Sequence, residues 1–234
     1  MSHPTELELH QVQTEILHRL LFVPTAAFHE LVPAAMTSDH FTFHLKKMVE
    51  HGLVAKNEDG LYALTITGKE FANRYDTDHK VMERQGKVAV LLLITRDLEG
   101  EVQYLIQKRV KQPYYGFYGR PTGKIKWGET ILEGAARELM EETGLVASLS
   151  VVGIEHKVDR DPEGKLLEDK YFFLVRGVEC EGDLLPVFEG GENYWMTSEE
   201  IAALTETFGN LLTGFPNDGV KITLHETQYV AKGY

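Results

Sequence analysis

Residues 123–145 read GKIKWGETILEGAARELMEETGL, and their spacing predicts one amphipathic helix with an acidic polar side. Thr130 to Glu133 has the form of a capping box, with a hydroxyl to accept an early backbone N–H and a glutamate to reach back to the cap. Ile131, Ala135 and Leu139 recur at helical spacing, as do Leu132 and Ala136, which gives one apolar face for burial. Gly144 stands where a left-handed residue ends a helix, and Leu145 supplies the apolar contact that follows it. On this helix of roughly three to four turns, Glu138 lies three residues from Glu141 and four from Glu142, so the three carboxylates share one side. Like charges so close repel unless a cation sits among them, and hard carboxylate oxygens suit Mg²⁺ or Mn²⁺ better than zinc. A solvated acidic helix face is the plainer reading. The apolar face, the two caps and the glycine loop upstream weigh against it.

The rest of the chain bounds what this helix serves. With 234 residues and 43% hydrophobic content, it can hold one large or two modest domains. A single cysteine, Cys180, excludes an internal disulfide and fits a reducing cytoplasm. The longest apolar run, Val88 to Ile94, is too short to span a membrane, and the acidic start, with Glu6 and Glu8, does not read as a signal peptide. A net charge of −12 disfavours nonspecific attraction to nucleic acid or anionic lipid, so an anionic substrate needs metal ions and a few placed cations.

Upstream of the helix, Lys87–Thr95 and Gln103–Arg109 read as adjacent strands about Asp97–Gly100. Downstream, Ser148–Val158 and Tyr171–Val178 read as strands about a turn at Asp161-Pro-Glu-Gly164, which has proline second and glycine fourth. Thr197 to Glu200 is another capping box, and Lys221–Val230 reads as a final strand.

Written as a pattern, the opening stretch is Gly123, five residues, Glu129, seven residues, then Arg137-Glu138-Leu139-x-Glu141-Glu142-x-Gly144-Leu145. This resembles the Nudix box with every defining position filled. The resemblance implies an α/β fold, a Nudix α/β/α sandwich over residues 81–234. It also implies metal-dependent hydrolysis of a pyrophosphate bond in a nucleoside diphosphate linked to another moiety. The glutamates matching Glu138, Glu141 and Glu142 bind Mg²⁺ or Mn²⁺ in the family, and one in this set or nearby serves as base. Arg137 matches the arginine that pairs with Glu129 and orients a catalytic glutamate, and helical spacing also lets it pair with Glu133 and Glu141. Thr122, where relatives commonly have glycine, matches the residue that lends a carbonyl to the metal. A further glutamate often precedes a tryptophan; Glu189, six residues before Trp195, matches best, with Glu192 in reserve.

The loop Gln112–Pro121 offers four aromatic rings for stacking on a nucleobase or for packing over the sheet. Tyr118 stands where relatives often have tryptophan. Arg109 and Arg120 are the candidates for phosphate contacts, since the guanidinium suits bidentate recognition. ADP-ribose, other dinucleotides and nucleoside triphosphates remain open as substrates.

Residues 1–80 differ in character: they hold eight of the ten histidines and no glycine before Gly52. Val12, Ile16 and Leu20 predict a first helix, Phe28, Leu31 and Val32 a short second, and Phe41, Leu45 and Met48 a third capped by Thr37 or Ser38. Leu53–Lys56 and Leu61–Thr65 read as a hairpin about Asn57–Gly60, and Thr67 to Glu70 as a capping box opening a fourth helix. This order is similar to winged helix-turn-helix modules of bacterial regulators, which opens an alternative function, a transcription regulator sensing a nucleotide metabolite. The charges do not favour DNA: residues 1–80 carry seven Lys and Arg against eleven Asp and Glu, with Glu58 and Asp59 at the expected wing tip. Contact with a protein partner, including a second copy in a homodimer, suits this segment at least as well. His40 and His44, four apart on one helix, read as ordinary surface histidines.

Overall fold

The computed structural model describes residues 9–33, 36–76, 81–82 and 85–212. The chain divides into two compact units, with the change between Arg84 and Gln85. The expected strand Lys221–Val230 lies outside the described residues. Among the described residues, no helix is long and apolar enough to cross a membrane.

In the first unit, α1 (Gln11–Leu21), α2 (Phe28–Leu31) and α3 (Ser38–Glu50) precede an antiparallel hairpin of β1 (Val54–Lys56) and β2 (Tyr62–Leu64). The helix α4 (Ile66–Ala72) follows, and then a short pair, β3 (Tyr75–Asp76) with β4 (Val81–Met82). The stripes read from the sequence are the core: Ile16, Leu20, Phe41, Leu45 and Met48 are buried together with Leu31, Leu53 and Phe71. One boundary differs. The fourth helix is capped by Thr65, whose side chain accepts from the Gly68 N–H, and not by Thr67. Gly68 explains the shift, because a Cβ there would come within 1.9 Å of the Leu53 carbonyl oxygen, so the helix enters over a backbone that only glycine allows. His40 and His44 place their Nε2 atoms 3.1 Å apart as a hydrogen bond, and His10 stacks on His44.

The second unit is built on a mixed sheet of eight strands. These are β5 (Lys87–Leu98), β6 (Glu101–Arg109), β7 (Tyr118–Gly119), β8 (Thr122–Lys124), β9 (Val146–Arg160), β10 (Leu166–Glu181), β11 (Val187–Phe188) and β12 (Gly191–Met196). Their order is β11-β12-β6-β5-β10-β9, with β7 added to β6 and β8 to β5. β10 runs parallel to β5, with Phe172 opposite Ala89 and Leu174 opposite Leu91. The hairpin β9–β10 extends further towards its turn than its apolar alternation indicates, because the ladder continues through the mostly charged stretches Lys157–Arg160 and Leu166–Lys170.

Alternation assigns the two faces of this sheet. Val90, Leu92, Ile94 and Leu105 pack with Ala135 and Leu139 of α5 (Ile131–Thr143). The opposite residues face the other way: Ala89 with Phe172 and Leu174, and Ile106 with Ile201 of α6 (Ser198–Ala202). One helix on each face makes the α/β/α sandwich that the resemblance implied.

Candidate active site

The helix α5 has the limits read from the sequence. Thr130 and Glu133 close a reciprocal capping box, and Gly144 ends the helix at φ 72°, donating its N–H to the Met140 carbonyl. Glu133 is occupied by that cap, its carboxylate accepting from the Thr130 N–H and hydroxyl, each at 2.8 Å. Its pKa is lowered by those bonds. It is therefore not a partner of Arg137, one of the two helical pairings the spacing allowed.

Arg137 is the hub of the site. Its Nε and Nη2 donate to the two oxygens of Glu129 at 2.5 and 2.8 Å, and Nη2 also donates to the Lys124 carbonyl at 2.9 Å. Its Nη1 donates to Glu138 at 2.7 Å and to Glu141 at 3.1 Å. Glu129 accepts in addition from the Lys126 N–H at 2.8 Å. With the Arg137 bond as the larger cause and the Lys126 N–H next, its pKa is held down to about 2. The loop 124–129 is thereby tied to the helix by charge-assisted bonds from both ends.

The three carboxylates differ. Glu138 is largely buried, 14% exposed at its side chain, and lies directly on Gly123, where an added Cβ would meet its Cγ and Cδ at 2.0 Å. Glu141 is 53% exposed and is approached by the Lys126 ammonium at 3.5 Å. Glu142 accepts from the Gln107 amide at 3.1 Å. Burial pushes its pKa up to about 7, and Glu138 adds to the rise. The Gln107 bond opposes it, as do the charges of Lys111 and Arg109. Among the described residues no three acidic, histidine or cysteine side chains converge as a ready-made metal cage, since Arg137 draws Glu138 and Glu141 onto itself.

The other expected site residues divide by sheet face. Thr122 is in β8, next to Gly123, and pairs with Leu91. Gln107 and Arg109 alternate with Lys108 on β6, which puts them on the α5 side. Arg109 also folds back on its own loop, donating from Nε to the Lys111 and Pro113 carbonyls at 2.9 and 2.6 Å and from Nη2 to that of Gln112 at 3.2 Å. Tyr118 pairs with Lys108 and packs with Ile106 and Ile201, on the α6 side. Arg120 donates to the Leu211 carbonyl through Nε, at 2.9 Å, and Nη2. Leu211 belongs to that same far cluster, and burial lowers the Arg120 pKa to about 10. Tyr118 and Arg120 are thus not brought to the carboxylates, because strand parity and the bond to Leu211 turn them away. Of the loop aromatics, Tyr114 and Phe117 pack edge-on or tilted against Phe208 and each other. Glu189 is exposed in the turn between β11 and β12. That turn meets the β6 end through the Val110 N–H to Gly190 carbonyl bond at 3.0 Å. Glu192 pairs with Lys108, on the α6 side, and bonds the Tyr194 hydroxyl.

Two contacts were not read from the sequence. Gln107 reaches Glu142 by the parity of β6, which begins at Glu101, two residues before the strand Gln103–Arg109 that the sequence predicts. Asn193 sits on β12, a strand that no alternation marks in the sequence. Its buried amide donates to the carbonyls of Glu142 and Leu185, each at 2.8 Å, and so anchors the C-terminal turn of α5.

A NUDIX domain model matches residues 85–212, more than half of the chain. The chain belongs to the Nudix family. Its Nudix domain resembles the ADP-ribose pyrophosphatase of Methanocaldococcus jannaschii, 28% identical over 122 residues that span 52% of this chain and 72% of the relative. Similar solved structures include the NUDIX domain of Shewanella oneidensis NrtR complexed with ADP ribose, with a TM-score of 0.49 at 16% identity. That likeness covers 61% of this chain and 91% of the other. Another is a MutT protein from Bacillus halodurans, with a TM-score of 0.45 at 28% identity, covering 54% and 78%. The family match and the pyrophosphatase relative make this chain a Nudix hydrolase.

Proposed function

We propose that this Nudix hydrolase cleaves the pyrophosphate bond of a nucleoside diphosphate linked to a second group. The products are a nucleoside monophosphate and the phosphorylated second group. ADP-ribose is the first substrate to test, since the relative from Methanocaldococcus jannaschii carries that activity in its name. Glu138, Glu141 and Glu142 would hold Mg²⁺ or Mn²⁺. The observation that carries this reading is Glu138 seated in the space a Cβ at residue 123 would fill, a carboxylate held in place beside two others on one helix side. All donors are hard oxygens, which fits these metals.

When bound, a divalent ion neutralises phosphate charge and lowers the pKa of the attacking water. The chain's own residues do the rest. Arg137 fixes Glu138 and the loop through Glu129. Glu141, open to solvent, would take the proton of the attacking water. Gln107 orients Glu142, the charges of Lys111 and Arg109 act on it, and Glu189 would add a carboxylate from the turn between β11 and β12. Thr122 and its carbonyl lie beside Gly123 at the foot of the site.

We also read the first unit as a winged helix-turn-helix module that contacts protein, a second copy included, in preference to duplex DNA. Lys46 and Lys47, the cations of α3, both pair with Glu50. Glu58 and Asp59 are exposed at the hairpin turn, where they repel phosphate. Phe22, Phe43 and Ile66 are exposed apolar residues on this unit.

A hydrolysis screen with Mg²⁺ and Mn²⁺ over ADP-ribose, dinucleotides and nucleoside triphosphates tests the enzyme reading. Turnover that is metal-dependent and lost in Glu141→Gln is expected. A folded protein that turns over none of them while binding a specific duplex tightly would replace this reading with the regulator.

A further inference from the structure

Trp127 is 91% exposed, on a loop that is otherwise held rigidly. It lies between Lys126, whose ammonium is 3.5 Å from Glu141, and Gly128, in the left-handed region at φ 86°. The loop is closed on itself by the Glu129 N–H to Lys126 carbonyl bond at 3.1 Å and the Lys126 N–H to Glu129 carboxylate bond at 2.8 Å. It is also clamped to α5 by Arg137. A large ring is therefore presented to solvent on a fixed backbone, one residue from a side chain that touches the acidic cluster. The pattern that defines the family leaves position 127 free. Of the four rings in the loop Gln112–Pro121, Tyr114 and Phe117 pack with Phe208 and Tyr118 lies on the opposite sheet face, while Tyr115 is 63% exposed on a loop outside the clamp of Arg137.

We infer that Trp127 is the stacking platform for the nucleobase of the substrate and sets the preference for nucleotides over base-free phosphates. This rests on the hydrolase reading above. An indole face covers a purine without hydrogen-bond discrimination, and a platform that is already rigid loses little freedom on stacking. Lys126 beside it is the cation positioned to meet a phosphate of the same ligand once Glu141 engages a metal.

The test uses the full chain with AMP as the probe, ribose 5-phosphate as its base-free control, and Mg²⁺ present throughout. The only other tryptophan, Trp195, lies under the Arg96 guanidinium at 4.5 Å and serves as the internal reference. AMP should shield the indole of Trp127 from acrylamide quenching, and ribose 5-phosphate should not. Trp127→Ala should weaken AMP binding, measured by calorimetry, about tenfold or more, while Trp127→Phe keeps most of it. Binding of ribose 5-phosphate should be equal in all three proteins. Unchanged AMP affinity in Trp127→Ala, or an indole still open to quencher at saturating AMP, would overturn the inference. So would an equal loss of ribose 5-phosphate binding, which would mean that the ring only shapes the loop. AMP that stacks on a protein with no turnover defeats the hydrolase reading instead, and turnover indifferent to residue 127 defeats the stacking alone.

Discussion

Replacing Gly123 by alanine should separate chemistry from stability at this site. The added Cβ would stand 2.0 Å from Cγ and Cδ of Glu138 and 2.4 Å from Oε2, where ordinary contact begins at 3.4 Å. The obstacle is the end of a flexible side chain and not backbone, so Glu138 yields and β8 stays. Its carboxyl carbon must retreat by about 1.4 Å, the difference between those two distances, which also disturbs its 2.7 Å bond from Arg137. A displacement near 1 Å in a catalytic group costs on the order of 10²-fold in rate. Stability should hardly move: alanine gains up to about 1 kcal/mol through the unfolded chain, and an off-rotamer glutamate costs about as much. Steady-state kinetics on ADP-ribose across a Mg²⁺ titration, with thermal unfolding alongside, measure both. A folded Gly123→Ala protein within threefold of wild-type kcat would refute the placement of Glu138 in the machinery. A loss of stability beyond about 3 kcal/mol would show that the backbone had moved instead.

Other perturbations probe the supports of the site. Because the folded pKa of Glu142 is raised to about 7, the folded state holds a proton that the unfolded chain has released. The metal-free protein should therefore lose stability as pH rises from about 4.5 through about 7. Denaturant titrations at several pH values should show that slope reduced in Glu142→Gln, and an identical slope would contradict the burial of this carboxyl. Asn193→Ala leaves the carbonyls of Glu142 and Leu185 without its amide, a loss of about 3 kcal/mol readable by urea unfolding. A neutral result would mean that the C-terminal turn of α5 is held by other bonds. Gly68→Ala drives a Cβ into the Leu53 carbonyl and should destabilise the first unit by at least about 2 kcal/mol. Hydrolysis by the second unit should persist, and loss of activity below the melting transition would tie the two units together.

What the sequence disclosed follows from the range of the interactions involved. The limits of α5 were legible because caps and 3.6-residue periodicity are local, and the same is true of the helices and the hairpin of the first unit. The start of α4 was not, since it depends on a glycine passing over Leu53, fifteen positions earlier in the chain. β7, β8, β11 and β12 are short and rich in glycine or interrupted by turns, so no alternation marks them. Tyr118 and Arg120 illustrate a harder problem. Their proximity in sequence to the box suggested a place beside the carboxylates, but the pairing of Tyr118 with Lys108 and the bond from Arg120 to the Leu211 carbonyl, neither of them local, turn both away.

The charges show how so acidic a protein could receive an anion at this helix. Arg137 spends its five donors on Glu129, Glu138, Glu141 and the Lys124 carbonyl, and Lys126 adds a second cation at Glu141. Those carboxylates are thus compensated from within the protein. Glu142 instead accepts a neutral amide from Gln107 and is buried beside Glu138, which is why its proton is the one retained up to about pH 7. A divalent ion held by Glu138, Glu141 and Glu142 would displace that proton and would compete with Arg137 and Lys126 for the other two carboxylates. The cations so released, Lys126 foremost because it is exposed, would then be free to meet the phosphates of a substrate. Metal affinity should accordingly rise between about pH 6 and pH 8, and Lys126→Ala should strengthen the binding of metal alone while weakening the binding of AMP in its presence. Calorimetry of Mn²⁺ and then of AMP on this variant reads the two effects separately, and a change of the same sign in both would rule out the exchange.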